Sequence, residues 1–481
     1  MLSRSIRITS YRDGGAHHVG INLLLAFLCL GSVAVSRGAA VRKGGPVSRP
    51  APQRAQSQTR KLLAVDPGPR QGPAGAGNLI KGLSNAQASP ANLGKTQFQA
   101  VHNVTGTGEI GLGPRFDSNS CASCHAQPAA GGSSPSTNPL FAVYTLDGGK
   151  NSMPTFEATN GPALTARFPY QSDLVTPDGN VHQLFVISGR ADAGTCSIAQ
   201  PDFATAQAEN NIFFRQPSPI FGAGLLELIL DSDILTNMGS NLTLKQQLGI
   251  SGHTNIAEDG SIARFGWKAQ NRSTIIMAFE QFNVEMGVTS ENLPNELDET
   301  PGCTLNPIPE DHTNFTTMIP MDFPGDSERL AIFMRFLDQP TPAKPTPSTL
   351  AGQAQFNNIG CVLCHTTSFT TPPAGERALG SILTNLYSDL LVHHMGPCLA
   401  DNIVQGTAQG DEFRTAPLWG AGKRIFFLHD GRTSDIVQAV EDHFCTGNAQ
   451  YPNSEANSVI NSFNALSPAD QQNLVNFLRS L

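Results

Sequence analysis

Two copies of the pattern C-x-x-C-H, at residues 121–125 and 361–365, constrain this 481-residue chain more than any other feature of its sequence. Two thiols at this spacing can form thioether bonds to the vinyl groups of one haem, and the histidine that follows can bind the iron. A pair of zinc-binding turns is the alternative, but it does not account for the histidine that ends both patterns. We therefore predict two covalently attached haem c groups. The predicted attachment and ligand residues are Cys121, Cys124 and His125 for the first haem, and Cys361, Cys364 and His365 for the second.

The charge balance of the chain argues against a nucleic-acid partner. The sequence has 31 basic and 39 acidic residues, a formal net charge of -8, whereas proteins that bind nucleic acids carry clustered positive charge. An acidic surface can instead steer a basic electron-donor protein towards it. Charged residues make up only 15% of the chain, while Gly (46) and Pro (34) are plentiful. This composition favours compact helical elements joined by long irregular loops.

The first 40 residues have the features of a signal peptide. Arginines precede an apolar run at residues 21–30, and small residues follow at 38–40. The run is short for a membrane span, although an uncleaved membrane anchor is the alternative. Because covalent haem attachment takes place outside the cytoplasm, the haem motifs and the signal agree. We expect a periplasmic protein, secreted across the cytoplasmic membrane.

The cysteines outside the haem motifs predict disulfide bonds. Of nine cysteines, one lies in the predicted signal peptide and four belong to the haem motifs. The remaining four are an even number in an oxidising compartment, which allows three pairings, or four free thiols. We favour Cys196–Cys303 and Cys398–Cys445, because each pair then lies within one predicted domain.

A haem motif followed by a closing helix occurs twice, which predicts two cytochrome c-like domains. Phe116 and Phe356 precede the two motifs at the same offset. Apolar residues recur at helical spacing over residues 326–337 and again over 467–478. The proline-rich residues 339–348 would form a semi-rigid linker between the two halves.

The predicted fold class is mainly α, with two cytochrome c-like haem domains. Residues 41–95 are rich in Pro, Gly, Ser, Gln and Ala and predict a flexible leader. The first haem domain would span residues 96–338 and the second residues 349–481. The first domain would carry an irregular, partly β insertion at about 135–262, where apolar runs such as residues 181–187 predict strands.

Six short segments resemble, in their order, the bacterial di-haem cytochrome c peroxidases. They resemble more closely the di-haem oxidoreductases once loosely labelled thiol oxidoreductases. The segments are residues 111–114, 264–269, 283–287, 387–391, 414–419 and 427–432. The resemblance implies an enzyme that reduces hydrogen peroxide with electrons from a small cytochrome c or cupredoxin, received by the second haem. It also allows a homodimer.

The resemblance implies roles for three further residues. Trp267 looks like a tryptophan that carries electrons between the haems, and an ordinary core tryptophan is the alternative. Glu285 looks like the acid–base catalyst at the peroxide-binding haem, and a solvated helix charge is the alternative. His443 lies where the distal ligand of the second haem is found, and a helix-terminal histidine is the alternative. Met395 and His393 are its rivals for this position.

The sixth ligand of the first haem stays open at the level of sequence. His182 or His102 could provide it, and an iron left open to face Glu285 is equally consistent. His429, within a His-Asp-Gly sequence, is predicted to be structural rather than a ligand.

The sequence also leads to a predicted calcium ion and to two alternative functions. The resemblance implies a calcium ion between the haems, near the carbonyls of Thr415 and Pro417, although few acidic residues cluster there. The first functional alternative is a non-enzymatic di-haem electron-transfer cytochrome. The second is a di-haem enzyme that oxidises a protein or organic substrate through high-valent iron.

Overall fold

The computed structural model describes residues 64–104, 111–257, 259–306, 308–313, 324–375 and 377–481. These residues all belong to one unit of the chain, Ala51–Leu481. The predicted signal peptide and the first part of the predicted leader, residues 41–63, lie outside the described residues. Within the described ranges, none of the helices combines the length and the apolar character needed to cross a membrane.

The regular structure is mixed, with α-helices interspersed among very short strands. The α-helices of the described residues are α1 Asn85–Phe98, α2 Cys121–Cys124, α3 Leu140–Val143, α4 Phe203–Ala208, α5 Ala223–Leu228, α6 Asp231–Gly239, α7 Leu242–Leu248, α8 Thr274–Met286, α9 Asp326–Phe336, α10 Pro347–Asn358, α11 Ile436–Glu441, α12 Asn457–Ala465 and α13 Pro468–Leu478. The strands are β1 Arg115–Phe116, β2 Thr165–Arg167, β3 Phe185–Val186, β4 Phe213–Arg215, β5 Asn255–Ile256, β6 Ile262–Ala263, β7 Phe369–Thr370, β8 Leu383–Thr384, β9 Val392–His394 and β10 Glu412–Arg414. Short 3-10 helices form at Leu146–Gly148, Cys361–Leu363 and Ala421–Lys423.

The strands pair into two-stranded antiparallel sheets: β1 with β3, β2 with β4, β5 with β6, β7 with β8, and β9 with β10. Four of these strands, β7 to β10, follow residue 348. The prediction had placed strands in an insertion of the first domain, and the second half of the chain contains strands as well. The predicted insertion also contains the helices α3 to α7. Of residues 181–187, only Phe185–Val186 forms a strand, because its partner β1 is just two residues long. Sheets this small are not stable alone, and surrounding structure must fix them.

The two predicted closing helices are confirmed as α9 and α13. Ser467 caps α13, since its hydroxyl accepts a hydrogen bond from the Asp470 amide, and Pro468 occupies the first turn. The predicted linker ends earlier than residue 348, because α10 begins at Pro347. Its N-cap is Thr346, whose hydroxyl accepts from the amide two residues beyond Pro347.

An internal repeat is present, but its aromatic pairing differs from the predicted one. Helix α1 packs on α9, and α10 packs on α13. Phe98 of α1 lies 6.1 Å from the His125 ring (centroid to centroid), and Phe356 of α10 lies 6.2 Å from the His365 ring. Phe356 therefore corresponds to Phe98 rather than to Phe116, which packs against a strand. Sequence offset alone missed this, because the segment between helix and motif is longer in the first half.

The prediction of a flexible leader up to residue 95 is wrong for its described part. Ala64 packs in the hydrophobic cluster of α13, and Asp66 accepts a hydrogen bond of 2.7 Å from Nε of Arg479. Helix α1 already begins at Asn85. Composition concealed this helix because small residues such as Ala91 and Gly94, rather than a periodic apolar stripe, form much of its buried side.

Both favoured disulfide bonds are confirmed. Cys196 is bonded to Cys303, and Cys398 is bonded to Cys445. The other cysteines among the described residues are the four of the C-x-x-C-H motifs, and none of these is in a disulfide. The chain therefore keeps these four thiols available for another bond.

Candidate functional site

The first C-x-x-C-H motif lines a cavity of about 1240 Å³. Helix α2 supplies Cys121 and Cys124, and His125 follows as its C-cap residue. Glu285 reaches the same cavity from the last turn of α8, and Trp267 reaches it from the loop between β6 and α8. The structure thus brings the two thiols and the histidine of the first motif together with Glu285 and Trp267 on one cavity.

The second motif lines a cavity of about 1450 Å³. Cys361 and Cys364 lie at the 3-10 helix that follows α10, and His365 comes directly after them. The three residues proposed as competing iron ligands also line this cavity, as does Trp267. They are His393, Met395 and His443.

The two motif histidines are neutral, and each keeps the lone pair of one ring nitrogen free to bind a metal. The Nδ1 atom of His125 lies 2.9 Å from the Gly132 carbonyl oxygen, and that of His365 lies 2.9 Å from the Tyr387 carbonyl oxygen. A carbonyl oxygen only accepts, so each Nδ1 carries the hydrogen and each Nε2 keeps its lone pair. Burial lowers the pKa of both imidazoles, that of His365 to about 4. A neutral imidazole with a free Nε2 is what a metal requires.

Backbone hydrogen bonds fix the position of Glu285. The carbonyl of Glu285 accepts from the amides of Asp117 (2.8 Å) and Ser118 (3.2 Å), which ties the end of α8 to the segment before the first motif. Gly287 ends the helix in a left-handed conformation, φ +74°. Burial raises the pKa of the Glu285 carboxyl to about 7, and the charge of Arg167 opposes this shift. A carboxyl group with this pKa can both release and take up a proton near neutral pH.

Asp117 is a second carboxyl group on the first cavity, and no sequence pattern pointed to it. One oxygen accepts a hydrogen bond of 2.6 Å from the Leu184 amide. The other oxygen is buried and has no hydrogen-bond partner among the described residues. Burial, followed by the charge of Glu285, raises the pKa of Asp117 well above its ordinary value. Burial thus favours the protonated form of Asp117 beside Glu285.

Neither histidine proposed as a sixth ligand of the first haem reaches the first cavity. His182 is stacked on Phe168 at 3.8 Å, and its Nε2 lies 3.0 Å from Asp178. His102 packs edge-on against Phe282 behind the cavity wall. Among the described residues, His125 is the one histidine that lines this cavity.

In the second cavity His443 fits an iron ligand and His393 does not. The Nδ1 atom of His443 donates to the Ala439 carbonyl at 2.7 Å, so its Nε2 keeps a lone pair, and burial lowers its pKa. Both nitrogens of His393 instead face carboxylates, Glu455 at 2.7 Å and Asp389 at 3.0 Å. His393 therefore has no lone pair to offer to iron. Met395 still lines the cavity, so the structure leaves it as a rival.

Trp267 is the one described residue that lines both cavities. Its Nε1 donates to the Gln216 carbonyl at 2.9 Å, and its own carbonyl accepts from the Arg414 amide at 2.8 Å. The ring of His429 meets the indole edge-on at 6.4 Å and stacks on Phe413 at 4.1 Å. His429 itself lines the second cavity, next to Trp267, and its structural role stays a prediction.

Two arginines in the second cavity lack partners for part of their guanidinium groups. Nη1 of Arg414 and Nε of Arg424 are buried without a hydrogen bond to the described residues. Burial and neighbouring arginines lower the pKa of both to about 10, so both remain cationic. Unmatched buried cations require an anion, and the propionates of haem are anions. With the thiols and imidazoles, these groups fit a haem in this cavity, although the sequence did not reveal them.

The surroundings of Thr415 and Pro417 do not fit a calcium ion. The carbonyl of Thr415 accepts from the hydroxyl of Ser388, and the carbonyl of Pro417 lies 3.5 Å from Nη2 of Arg424. A guanidinium beside a carbonyl repels a second cation. The predicted calcium ion is therefore not supported at this place.

Comparisons with known proteins show which family the chain resembles. The model of a family described as "Di-haem oxidoreductase, putative peroxidase" matches residues 170–481. No match is found among curated proteins. A solved structure of hydrazine synthase from Kuenenia stuttgartiensis, pressurized with 20 bar xenon, is 19% identical, with a TM-score of 0.22, over 34% of this chain. The chain spans 56% of that hydrazine synthase chain. A MauG-like protein associated with microbial copper homeostasis is 13% identical, with a TM-score of 0.25, over 55% of this chain and 88% of that chain.

Proposed function

Because this chain belongs to the family of di-haem oxidoreductases, we propose that it is a c-type di-haem peroxidase that reduces hydrogen peroxide in the periplasm. The observation that carries the proposal is the difference between the two cavities. The second has a histidine with a free Nε2 in addition to that of its motif, His443. The first has the motif histidine, His125, and the carboxyl group of Glu285. This difference supports a closed iron in one cavity and an open iron in the other.

Four cysteines would hold the cofactors covalently, with His125, His365 and His443 as axial ligands. Bound haem would supply electron transfer in the second cavity and peroxide reduction in the first. Trp267, on the wall shared by the cavities, supports a route for electrons from the second to the first. The protein sets the ligands, the distance between the cofactors and the proton supply.

Glu285 and Asp117 divide the proton chemistry of the first cavity. An ionised Glu285 accepts a proton from the near oxygen of peroxide and returns it to the departing oxygen. Asp117, whose pKa burial also raises, would donate a hydrogen bond into the cavity in its protonated form. Two carboxyl groups with separated pKa values are a common basis for acid–base catalysis.

Two cytochrome c-like domains, the second at residues 349–481, are part of this proposal. The packing of α1 on α9 and of α10 on α13 supports them, because each helix pair flanks one haem motif. The first domain would begin before residue 96, since α1 belongs to it. The two disulfides support an oxidising compartment. A small basic redox protein is the expected electron donor, and the proposal allows a homodimer.

An electron-transfer cytochrome without enzymatic activity is the second candidate. Three methionines line the first cavity, and the thioether of any of them could close the iron. They are Met277, Met286 and Met334. In that protein both irons would be six-coordinate and peroxide would not react.

Peroxide consumption by the purified di-haem protein tests the proposal. The protein is mixed with a reduced small cytochrome c and hydrogen peroxide, and oxidation of the donor is followed by absorbance. We expect saturable turnover that consumes two donor electrons for each peroxide. Donor oxidation that does not depend on peroxide would contradict the proposal and favour the electron-transfer cytochrome.

A further inference from the structure

Two buried glutamates lie outside both haem cavities, in the segments that connect α8 to α9. Glu296 is 8% exposed and Glu310 is 7% exposed. Both carboxylate oxygens of Glu296 and Oε1 of Glu310 are buried without a hydrogen-bond partner among the described residues. A buried carboxylate without a partner is strongly destabilising unless it is neutralised. Three such oxygens in one region need an explanation.

The two carboxyl groups act on each other. Burial, then the charge of Glu310, then that of Glu299 raises the pKa of Glu296 to about 8. Burial likewise raises the pKa of Glu310 to about 7. No arginine or lysine in the described part of the chain forms an ion pair with either group. The region therefore holds an excess of acidic over basic groups, and the raised pKa keeps Glu296 mainly protonated at neutral pH unless a cation takes the place of the proton.

Neighbouring acidic groups increase this excess. Asp311, next to Glu310, accepts hydrogen bonds from the amides of Asp326 (2.6 Å) and Ser327 (2.8 Å) at the start of α9. Arg329, in the first turn of α9, pairs with Asp326 at 2.7 Å rather than with Glu296 or Glu310. The unpartnered oxygens of Glu296 and Glu310 are thus free to bind a cation that the chain itself does not provide.

We propose that Glu296 and Glu310 bind a hard divalent cation, with Ca²⁺ as the best fit. Carboxylate oxygens are the ligands that Ca²⁺ prefers, and a glutamate with two free oxygens can bind it in a bidentate manner. Backbone carbonyls and water would complete the coordination. The site is separate from Thr415 and Pro417, and it involves no histidine or thiol.

The bound cation would stabilise the segment that follows α8, the helix that carries Glu285. Oε2 of Glu310 accepts from the Thr289 amide at 2.8 Å, and the Thr289 hydroxyl accepts from the Glu310 amide at 3.0 Å. Thr289 lies four residues after Glu285. A cation that fixes Glu310 therefore also fixes the chain directly beyond α8.

Calcium titration of the intact di-haem protein tests the site. The protein is treated with EGTA, dialysed, and titrated with CaCl₂ by calorimetry, and thermal unfolding is measured with and without calcium. The informative variant is Glu296→Gln, which keeps the shape of the side chain and removes its charge. The control is Glu299→Gln, which removes a charge three residues away at an exposed position. Both haems are counted by absorbance in every sample.

We expect one calcium ion per wild-type chain and per E299Q chain, and at least about tenfold weaker binding by E296Q, because one ligand of the shell is lost. Calcium should raise the unfolding temperature of the first two proteins and not that of E296Q. Equal binding by E296Q and wild type would overturn the proposal, as would a wild type that binds no calcium at about 1 mM, the weak end of extracellular sites. If E296Q fails to fold, Glu310→Gln takes its place with the same expected loss.

Discussion

Glu285 is the residue whose replacement tests the catalytic assignment. A glutamine at this position keeps the size of the side chain but cannot exchange a proton. We expect Glu285→Gln to lower kcat/KM for peroxide by about 10² to 10⁴-fold, the usual contribution of general acid–base catalysis, with both haems retained. Steady-state assays measure this, with the exposed Glu209→Gln as control. A Glu285→Gln protein with both haems and full activity would refute the catalytic role.

The raised pKa of Glu285 predicts a pH dependence of the reaction. The carboxylate must be ionised to accept a proton, and its pKa is about 7. Activity should therefore rise as the pH increases through about 7, and the residual activity of Glu285→Gln should lack this rise. Stability should change in the opposite sense. Because the folded pKa exceeds the ordinary value of 4.5, the stabilising contribution of the protonated group is lost as the pH rises towards 7. Parallel profiles of wild type and variant from pH 5 to 8, in activity or in unfolding, would contradict the assignment.

His443 is expected to close the second iron. We predict that His443→Ala converts the second haem from a low-spin to a high-spin ferric state, because a small side chain leaves the sixth position open. Absorption and electron paramagnetic resonance spectra report this change. The matched control is Met395→Leu, which should leave the spectrum of the second haem unaltered. A high-spin second haem in Met395→Leu, with an unaltered spectrum in His443→Ala, would identify Met395 as the ligand.

The residues that sequence could predict are those whose signal is local or belongs to a family pattern. The C-x-x-C-H spacing predicted the four thiols that line the cavities, and the family resemblance pointed to Glu285. Asp117 and Arg414 were missed because their significance lies in burial without a partner, which only tertiary packing creates. His182 was a reasonable candidate by residue type alone, but the fold stacks it on Phe168.

At the scale of elements, the helix pairs beside the haem motifs depend on glycine at their closest approach. A Cβ atom added to Gly352 of α10 would lie 1.9 Å from the Asn473 carbonyl oxygen of α13, and one added to Gly94 of α1 would lie 2.0 Å from the Arg329 carbonyl oxygen of α9. Both contacts are with backbone, which cannot rotate away. The repeated glycine thus fixes the helix spacing in both halves.

We predict that Gly352→Ala destabilises the protein by at least about 2 kcal/mol, because overpacking forces α10 and α13 apart. Chemical denaturation of the di-haem protein measures the change in the free energy of unfolding. Gly239→Ala, at the end of α6, is the control, because a Cβ there meets no other atom. Its effect should stay within about 1 kcal/mol. Equal stabilities of the two variants would contradict the close packing of α10 on α13.

Helices were easier to predict than strands. The closing helices could be predicted from their apolar spacing and, for α13, from the Ser467–Pro468 start signal. Helix α1 could not, because its buried side uses small residues. Strands of two or three residues carry no periodic signal, and each forms only where the fold brings a partner alongside, as β1 does for β3.

At the scale of the whole molecule, Trp267 is the described residue that links the two cavities. It lines the cavity of His125 and that of His365, which are 240 positions apart in sequence. The sequence predicted both motifs from the spacing of their cysteines, and both disulfides from the assignment of each cysteine pair to one predicted domain. It could not show that the two cavities differ in their histidines, because that depends on which side chains the fold turns inward.

The most direct test of this account is an electron paramagnetic resonance spectrum of the fully oxidised and the half-reduced protein. We predict a high-spin ferric signal from one haem, in at least one of the two states, and a change in that signal when peroxide is added. That result would place an open iron opposite Glu285. Two low-spin signals in both states, unaffected by peroxide, would contradict the account and identify an electron-transfer cytochrome.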